Sequence, residues 1–425
     1  MAKKNVNKKI IKEGKKTFKK SPLAFVFLFV SLICIGFSLF TTYDYFIEPK
    51  INRQKYEPEI IYSALDADPI SFHFLEAGNA NTGDCVYIKA GENDILIDAG
   101  SRANSAATIS SYLNKEGRVE DNKLEYVIAT HAHQDHIAGF SGVNDPNNKS
   151  NKTGILYNYK VDNLIDFSYY ESGSTLIDNK NPASLDGVTE VYKKYVEARN
   201  YAVDNGTNWK VASELTTVNN NYIVELGKNL KMEVLYNFFY DHTKKDITLL
   251  NDENVKFSSS KFSDQNDYSV CLRFIQGDRE FLFTGDAEEA SEYSLTKYNK
   301  LNKVSLFKAG HHGSYTASGK ALLEKIQPSL VCVCCCAGNT EYAKSNERTF
   351  PAQDFIDRIS LYTDKVYVTT LGDFKDKSKY TSMNGNIVVT FKDKPLVECS
   401  NNNTLLKDTE WFKSNRTMPE NCVNS

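Results

Sequence analysis

Five of the seven histidines in this 425-residue chain fall in two short segments. The first is His131-Ala132-His133-Gln134-Asp135-His136, directly after the apolar run Leu124 to Thr130, which predicts a buried strand. The second is His311-His312-Gly313-Ser314, after a predicted strand from Val304 to Lys308. Imidazole nitrogens and carboxylate oxygens are ligands for a borderline cation such as zinc, and four of them on one tight loop can serve two adjacent metals. The clustering therefore indicates a metal site, with a solvated polar loop as the alternative.

Short β-rich runs alternate with helical stretches from about residue 69 onward. Two similar halves of strands with helices packed outside predict a layered α/β arrangement. The cysteine-rich run Leu330 to Cys336 predicts a buried strand in which cysteine serves as a small hydrophobic residue. Between the halves, residues 146–221 are rich in Asn, Lys and Tyr, with one predicted helix from Ser184 to Ala202. We interpret this range as an insertion over the domain surface.

Residues 21–43 carry no charge, and Leu23 to Phe40 is almost entirely apolar. A run of this length spans the hydrocarbon core of a bilayer, so it predicts a transmembrane helix at 21–43. A cleaved secretory signal is the alternative, but no small-x-small cleavage site follows the run. A linker at 44–68, broken by Pro49, Pro58 and Pro69, would join the helix to the body.

The charge of the chain is divided unevenly. Nine of the 51 Lys and Arg residues and one of the 54 Asp and Glu residues lie in positions 1–20, so the rest of the chain carries a net charge of −11. The basic tail 1–20 predicts a cytoplasmic N-terminus by the positive-inside rule, which places the C-terminal body outside the cell. The acidic body argues against broad electrostatic adhesion to nucleic acid.

Four motifs together resemble the metallo-β-lactamase superfamily, and within it the soluble domain of ComEC-type competence proteins. They are Ile97-Asp98-Ala99-Gly100, Thr130-His131-Ala132-His133-Gln134-Asp135-His136, Phe283-Thr284-Gly285-Asp286-Ala287 and Lys308-Ala309-Gly310-His311-His312-Gly313-Ser314. The resemblance covers residues 69–392, insertion included, and leaves 393–425 as a C-terminal extension.

The resemblance implies an αββα sandwich with a metal site at one edge of its two sheets. His131 and His133 would hold one divalent cation, Asp135 and His136 would hold a second, and Asp286 would bridge both. One of His311 and His312 would complete the second position, and the sequence leaves open which one. Asp98 would orient the ligand loop, with capping of the following helix as the alternative. The cations are expected to be Zn²⁺, with Mn²⁺ as an alternative.

The chain departs from the superfamily pattern in one respect. The usual third histidine of the first position has no clear match between His136 and Asp286, where His242 is the one histidine present. ComEC-type domains also lack it and have an Asn-x-x-Ser element, here Asn266-Asp267-Tyr268-Ser269. The first metal would then be weakly held, or a water would fill the gap.

The resemblance and the chemistry of two cations predict a membrane-anchored hydrolase in which a binuclear centre activates a hydroxide for attack on a phosphodiester. Asp135, or the spare histidine of His311 and His312, would handle the proton, and Lys308 and Ser314 would contact a phosphate oxygen. DNA and a cell-envelope phosphodiester such as phosphorylcholine are the two substrate classes considered. The alternative is a non-catalytic metal-binding surface protein that binds a partner through the aromatic residues of the insertion, which are Tyr157, Tyr159, Phe167, Tyr169, Tyr170, Tyr192, Tyr195, Tyr201 and Trp209.

Overall fold

The computed structural model describes residues 66–143, 152–171, 175–176, 188–242, 265–343, 345–373, 376, 378–392 and 394–423. The predicted tail 1–20, the predicted transmembrane helix 21–43 and nearly all of the predicted linker 44–68 lie outside the described residues. Within the described ranges, each helix is too short or too polar to span a bilayer.

Two eight-stranded sheets form the body of the molecule. The strands, in chain order, are β1 (Ile70–Phe74), β2 (Val86–Ala90), β3 (Asn93–Ile97), β4 (Lys123–Ile128), β5 (Lys160–Asp166), β6 (Tyr170–Glu171), β7 (Thr175–Leu176), β8 (Asn208–Val211), β9 (Tyr222–Gly227), β10 (Leu230–Val234), β11 (Leu272–Gln276), β12 (Arg279–Phe283), β13 (Leu306–Lys308), β14 (Val331–Ala337), β15 (Val366–Gly372), β16 (Tyr380–Ser382), β17 (Ile387–Phe391) and β18 (Pro395–Cys399). The first sheet has the order β18-β17-β1-β2-β3-β4-β5-β8 and the second β16-β15-β14-β13-β12-β11-β10-β9, while β6 and β7 form a separate pair.

The helices connect the strands. They are α1 (Ser105–Leu113), α2 (Gln134–Ser141), α3 (Ile155–Asn158), α4 (Glu190–Asp204), α5 (Ala212–Leu215), α6 (Glu289–Tyr298), α7 (Lys320–Ile326), α8 (Gln353–Ile359) and α9 (Glu410–Asn415). Helices α6, α7 and α8 pack their apolar residues on the second sheet in one buried cluster with β12 to β15. Apolar residues of α1, α2, α3 and α4 belong to the buried cluster of the first sheet.

Aromatic packing joins the two sheets. The Phe72 ring of β1 lies 5.7 Å from Phe274, 4.8 Å from Phe281 and 5.4 Å from Phe283, all on the second sheet. Burying a phenylalanine side chain contributes about 1.5–3 kcal/mol, so the contact between the sheets is a main part of the hydrophobic core. The predicted α/β class is confirmed.

Strand β14 has the sequence Val-Cys-Val-Cys-Cys-Cys-Ala, and all seven residues are buried. It pairs in parallel with β13 and β15, and central parallel strands are commonly apolar on both faces. The prediction of a buried strand is confirmed, and the eight cysteines of the described residues are all free thiols.

The predicted insertion, residues 146–221, differs from expectation. Its strand β5 pairs with β4, and β8 pairs with β5, so both extend the first sheet instead of lying over its surface. At the other end of the chain, β18 of the predicted extension pairs with β17. Each of these strands adds backbone hydrogen bonds to the sheet. Their polar, Asn-rich sequence lacks the apolar pattern from which a strand is predicted.

Candidate metal centre

The candidate ligands lie where parallel strands end. Strands β3 and β4 are parallel neighbours in the first sheet, and β12 and β13 are parallel neighbours in the second. Asp98 follows β3, the His131 segment follows β4, Asp286 follows β12, and the two later histidines follow β13. Since the carboxyl ends of parallel neighbours meet at one sheet edge, both sheets deliver these residues to the same end of the molecule.

The first histidine cluster does not form one loop, as the sequence led us to expect. The loop ends at His133, the residue before α2, and Asp135 and His136 lie in the first turn of that helix. An acidic side chain there is stabilised by the positive end of the helix dipole. The helix backbone also lies against residue 99, because a Cβ on Gly139 would come 2.0 Å from the Ala99 carbonyl oxygen. Only glycine permits this approach, which fixes Asp135 and His136 beside Asp98.

Four histidine rings converge on one carboxylate oxygen, Oδ2 of Asp286. His136 Nε2 lies 3.0 Å from it and His312 Nε2 lies 3.2 Å from it. His311 Nε2 and His131 Nε2 are farther away, at 3.8 Å and 3.9 Å. Asp286 sits directly after Gly285, whose φ of +56° and close contacts with Ser269 and Thr130 require glycine. The predicted meeting of the three motifs is therefore present in the structure.

The remaining two predicted ligands flank this centre. His133 Nδ1 lies 3.1 Å from His131 Nε2, and Asp135 Oδ2 lies 3.3 Å from His312 Nε2. Each of them thus lies beside a histidine whose Nε2 approaches Asp286.

Hydrogen bonds on the far side of each ring set its direction. His136 Nδ1 donates to Asp98 Oδ2 at 2.7 Å, and His312 Nδ1 donates to the Cys334 carbonyl oxygen at 2.8 Å. A neutral imidazole with its proton on Nδ1 presents the Nε2 lone pair, here toward Asp286. Asp98 also accepts from the Thr130 backbone N–H and hydroxyl group, at 2.8 and 2.7 Å. It makes these contacts at the ligand loop, while α1 begins farther on, after Asn104, so helix capping is not its role in this structure.

Sequence reasoning missed Asp84, which belongs to a buried group with His136, Asp286 and His312 whose polar atoms could hold a metal ion. Its carboxylate contacts the Lys308 ammonium group and lies 3.1 Å from His312 Nδ1 and 3.8 Å from His136 Nδ1. It therefore faces the backs of both rings, opposite the Nε2 atoms. It is therefore placed to orient both rings and to balance their charge. The strand order could have indicated Asp84. It precedes β2, whose start pairs antiparallel with the end of β3, so it lies at the same sheet edge as Asp98.

Lys308 and Ser314, the predicted substrate contacts, are both buried. The Lys308 ammonium group donates to the Gly285 and Ala309 carbonyl oxygens at 3.2 and 3.1 Å, in addition to its contact with Asp84. The Ser314 hydroxyl group lies 2.9 Å from that of Thr316. Their role toward a substrate stays a prediction.

Charge dominates the electrostatics of the centre. Burial alone would raise the pKa of Asp286, but the charges of His136, His312 and His311 hold that pKa well below its ordinary value. Burial alone would lower the pKa of His136 and of His312. The carboxylate of Asp286, together with Asp98 beside His136 and Asp84 beside His312, instead raises both pKa values well above the usual range.

The residues present suit a divalent cation. His312 Nε2 and Asp286 Oδ1 are buried and have no hydrogen-bond partner among the described residues. A buried polar atom without a partner is costly, and coordination to a cation would remove that cost. The donor set of imidazole nitrogens and carboxylate oxygens is the one that zinc accepts.

A cleft of about 940 Å³ lies elsewhere, between α1, α3 and α4, and the Tyr157 and Tyr201 rings approach within 4.9 Å at its wall. Its described lining includes no candidate ligand. The assignment of the metal centre therefore rests on ligand geometry and not on the size of a concavity.

The two histidines outside the motifs, His242 and His73, lie in other surroundings. His242 stacks on Phe238 with ring centroids 4.1 Å apart and contacts the Phe238 carbonyl oxygen through Nδ1 at 2.9 Å. His73 Nδ1 contacts the Tyr112 hydroxyl group at 2.8 Å, and burial lowers the pKa of His73 to about 3.

Comparisons with known proteins agree with this geometry. Residues 78–149 match the model of the metallo-beta-lactamase superfamily. Recombination protein 2 of Haemophilus influenzae is 26% identical over 106 residues, a match that covers 25% of this chain and 12% of the length of that protein.

Likenesses to solved structures are distant. YhfI of Bacillus subtilis, a metallo-beta-lactamase fold protein, is 14% identical with a TM-score of 0.29, covering 57% of this chain and 70% of that one. Human tRNase Z, short form, is 10% identical with a TM-score of 0.29, covering 70% and 91%. TM-scores this low carry no argument about the fold. The predicted resemblance to the metallo-β-lactamase superfamily is nevertheless confirmed, because the matched range 78–149 contains His131, His133, Asp135 and His136.

Proposed function

We propose that this chain is a metal-dependent hydrolase of phosphodiesters, built as an αββα sandwich and anchored to the membrane by a helix at residues 21–43, with its body outside the cell. The observation that carries the proposal is the convergence of four imidazole rings on Asp286 Oδ2, with His312 Nε2 and His136 Nε2 at 3.2 and 3.0 Å.

Two metal positions follow from the ligand groups. His131, His133 and Asp286 would hold one divalent cation, and Asp135, His136, His312 and Asp286 would hold the other. Divalent cations bound there would supply Lewis acidity for the activation of water and for stabilising charge on phosphorus.

The chain's own residues prepare these positions. Asp98 and the Cys334 carbonyl oxygen keep protons on the Nδ1 atoms of His136 and His312, so both Nε2 lone pairs point inward. Burial would raise the pKa of Asp135, but the His312 ring, with Nε2 3.3 Å from Oδ2, and the charge of His136 lower that pKa below its ordinary value. A carboxylate held ionised in this way is a better ligand than proton carrier, which favours the ligand role of Asp135 over the predicted catalytic one.

Aromatic side chains line the rim of the centre. Phe350 packs on the His311 and His312 rings with centroids 5.7 Å away from each, and half-exposed Tyr342 stacks on Phe350. Phe350 is buried, so Tyr342 is the ring of this pair that could stack a nucleobase or contact a quaternary ammonium group. The likeness to a protein named for recombination makes DNA the first substrate to test, with a phosphorylcholine diester as the second.

The partner-binding alternative is weakened for three of its aromatic residues and stays a prediction for the others, among which Tyr201 is 46% exposed. Of the aromatic residues in the predicted insertion, Phe167, Tyr192 and Tyr195 are fully buried and pack on one another. They belong to the core beside α4 and are not available to a partner.

The test is hydrolysis of bis-p-nitrophenyl phosphate by the purified full-length chain with Zn²⁺ or Mn²⁺. We expect turnover by the wild type, a loss of about 10²–10³-fold or more for Asp286→Ala, and unchanged turnover for the control His242→Ala. Parallel assays with single-stranded DNA and p-nitrophenyl phosphorylcholine separate the two substrate classes. A wild-type chain that binds metal but turns over none of the three compounds would overturn the proposal.

A further inference from the structure

We propose that His311 is the third histidine of the first metal position, with His131 and His133, and that Glu288 is the positioning residue that aims it. This rests on the metal-dependent function proposed above and adds a ligand that the superfamily pattern does not place there. The two adjacent histidines would then serve the two positions separately, His312 the second and His311 the first.

The backbone at the pair permits this division. His311 has φ 44° and ψ 52°, and His312 has φ 55° and ψ 22°. Successive left-handed residues are rare outside glycine and cost of order 1–3 kcal/mol each, so the surrounding structure must hold them. It does so through hydrogen bonds from the His311 N–H to the Gly285 carbonyl oxygen at 3.2 Å and from the Ser314 N–H to the His311 carbonyl oxygen at 2.8 Å. The result is that both rings reach Asp286, with centroids 5.9 Å apart.

The two rings differ in their surroundings. His312 is fully buried, with Nε2 between Asp135 and Asp286 at 3.3 and 3.2 Å. The His311 side chain is 19% exposed, and its Nε2 lies 3.8 Å from Asp286 Oδ2, almost the same distance as His131 Nε2 at 3.9 Å. His311 thus approaches the shared carboxylate oxygen at the distance of a ligand of the first position.

Glu288 holds the other side of the His311 ring. Its Oε1 lies 3.1 Å from His311 Nδ1 and accepts hydrogen bonds from the Thr316 hydroxyl group at 2.9 Å and from Asn266 Nδ2 at 3.2 Å. A carboxylate on Nδ1 keeps the proton there and leaves the Nε2 lone pair for a metal. Asp98 makes the same contact with His136, so the two rings are oriented by the same device.

The Asn-x-x-Ser element supports the ligands without being one. Asn266 binds the Glu288 carboxylate, and Ser269 Oγ accepts from the Asp286 backbone N–H at 3.1 Å and lies 3.4 Å from His131 Nδ1. Where the superfamily places a histidine, this chain has side chains that orient Glu288, Asp286 and His131. Since His73 and His242 bind elsewhere, His311 is the histidine that remains for the first position.

Metal binding by the full-length chain tests the proposal without reference to activity. Zn²⁺ stoichiometry is measured by elemental analysis and affinity by titration calorimetry, with Co²⁺ absorption as a report on ligand geometry. His311→Gly is the main variant, because glycine adopts the positive φ without strain, and His312→Gly is its partner. Glu288→Gln tests the positioning role, and Glu289→Gln, the next carboxylate along the chain, is the matched control. Thermal unfolding verifies that each variant is folded.

We expect two Zn²⁺ per wild-type chain. His311→Gly and His312→Gly should each lose one of them, and the remaining Co²⁺ spectra of the two variants should differ. Glu288→Gln should weaken one site about 10–100-fold while Glu289→Gln changes neither. His311→Gly that retains both ions at wild-type affinity overturns the inference, and if its turnover alone falls, His311 acts in proton transfer. A wild type that binds two ions and hydrolyses nothing refutes the proposed function while leaving this inference intact.

Discussion

The ion-pair network around Arg273 and the candidate metal centre around Asp286 both bring charged side chains together inside the protein. The negative charge of the carboxylates is balanced differently in the two regions. Arg273 lies on β11, and two of its guanidinium nitrogens donate to Glu233 Oε2 at 3.0 and 2.5 Å. The third nitrogen donates to Glu280 Oε2 at 3.1 Å and to the Lys300 carbonyl oxygen at 2.8 Å. At the metal centre, carboxylates outnumber the one lysine, and His312 Nε2 and Asp286 Oδ1 have no hydrogen-bond partner among the described residues.

The difference separates structural charge from functional charge. The Arg273 network is closed, since the cation and both carboxylates satisfy one another within the second sheet. The metal centre is open, since its lone pairs are oriented by Asp98, Cys334 and Glu288 toward a space that a cation would fill. Because structural ion-pair networks can also perturb pKa values, the orientation of the lone pairs, and not the pKa alone, identifies the functional cluster.

Breaking the closed network should have the largest effect on stability. Arg273→Ala removes the cation shared by buried Glu233 and partly buried Glu280 and leaves Lys231, 3.3 Å from Glu233, as the nearest remaining one. We expect a loss of about 3 kcal/mol in the free energy of unfolding. Urea denaturation measures it. Lys413→Ala, which breaks an exposed pair with Glu410 at 2.9 Å, is the control and should change stability by less than about 1 kcal/mol. Metal stoichiometry should be unchanged in both variants. A loss below about 1 kcal/mol for Arg273→Ala would show that the network is not a source of stability.

Glu292 is a buried carboxylate whose partners are backbone groups. It accepts hydrogen bonds from the backbone N–H groups of Ser318 and Gly319 at 2.6 and 2.7 Å. Burial, only partly offset by these hydrogen bonds, raises the pKa of Glu292 to about 7. The folded state therefore keeps a proton that the unfolded state loses near pH 4.5. This contribution to stability is complete below pH 4.5, falls as the pH rises to 7 and is constant above, for a total of about 3 kcal/mol.

Glu292→Gln removes that titration. From pH 4.5 to pH 8, the free energy of unfolding of the variant, measured by urea denaturation, should rise relative to that of the wild type by up to about 3 kcal/mol. A difference between the two proteins that does not change with pH would mean that Glu292 is ionised in the fold at both values.

Zinc should raise the free energy of unfolding by binding at the candidate metal centre, independently of the Arg273 network. At a free Zn²⁺ concentration of 100 times the dissociation constant, mass action adds about 2.7 kcal/mol per site to the free energy of unfolding. The rise should persist in Arg273→Ala and disappear in Asp286→Ala. Thermal melts with Zn²⁺ and with a chelator measure it, and equal rises in the wild type and Asp286→Ala would place the zinc elsewhere.

The sequence was sufficient to predict the ligand motifs because each follows a strand, and strand ends could be recognised from apolar runs such as Leu124 to Thr130. It was insufficient to distinguish His311 from His312, since the direction of each ring depends on a left-handed backbone and on distant partners such as Cys334 and Glu288. Asp84 lies outside the four motifs and was missed because its neighbours His136, Asp286 and His312 are far away in the chain, although its place before β2 indicates the same sheet edge. Strand β5 was missed because its polar residues, and those of the edge strand β8 beside it, resemble an insertion.

Asp98→Asn should produce the smallest of these effects and tests orientation alone. Asparagine tolerates the φ of +58° at this position, and its carbonyl oxygen can still accept the Thr130 backbone N–H. With its amide group facing His136 Nδ1, however, it would favour the tautomer that carries the proton on Nε2, the atom 3.0 Å from Asp286. We expect Zn²⁺ affinity at one position to fall about 10–100-fold. The free energy of unfolding of the metal-free protein, measured by urea denaturation, should change by less than about 1 kcal/mol. Unchanged affinity would mean that the lone pair of His136 does not depend on Asp98, and the open cluster would then owe its orientation to packing rather than to hydrogen bonds.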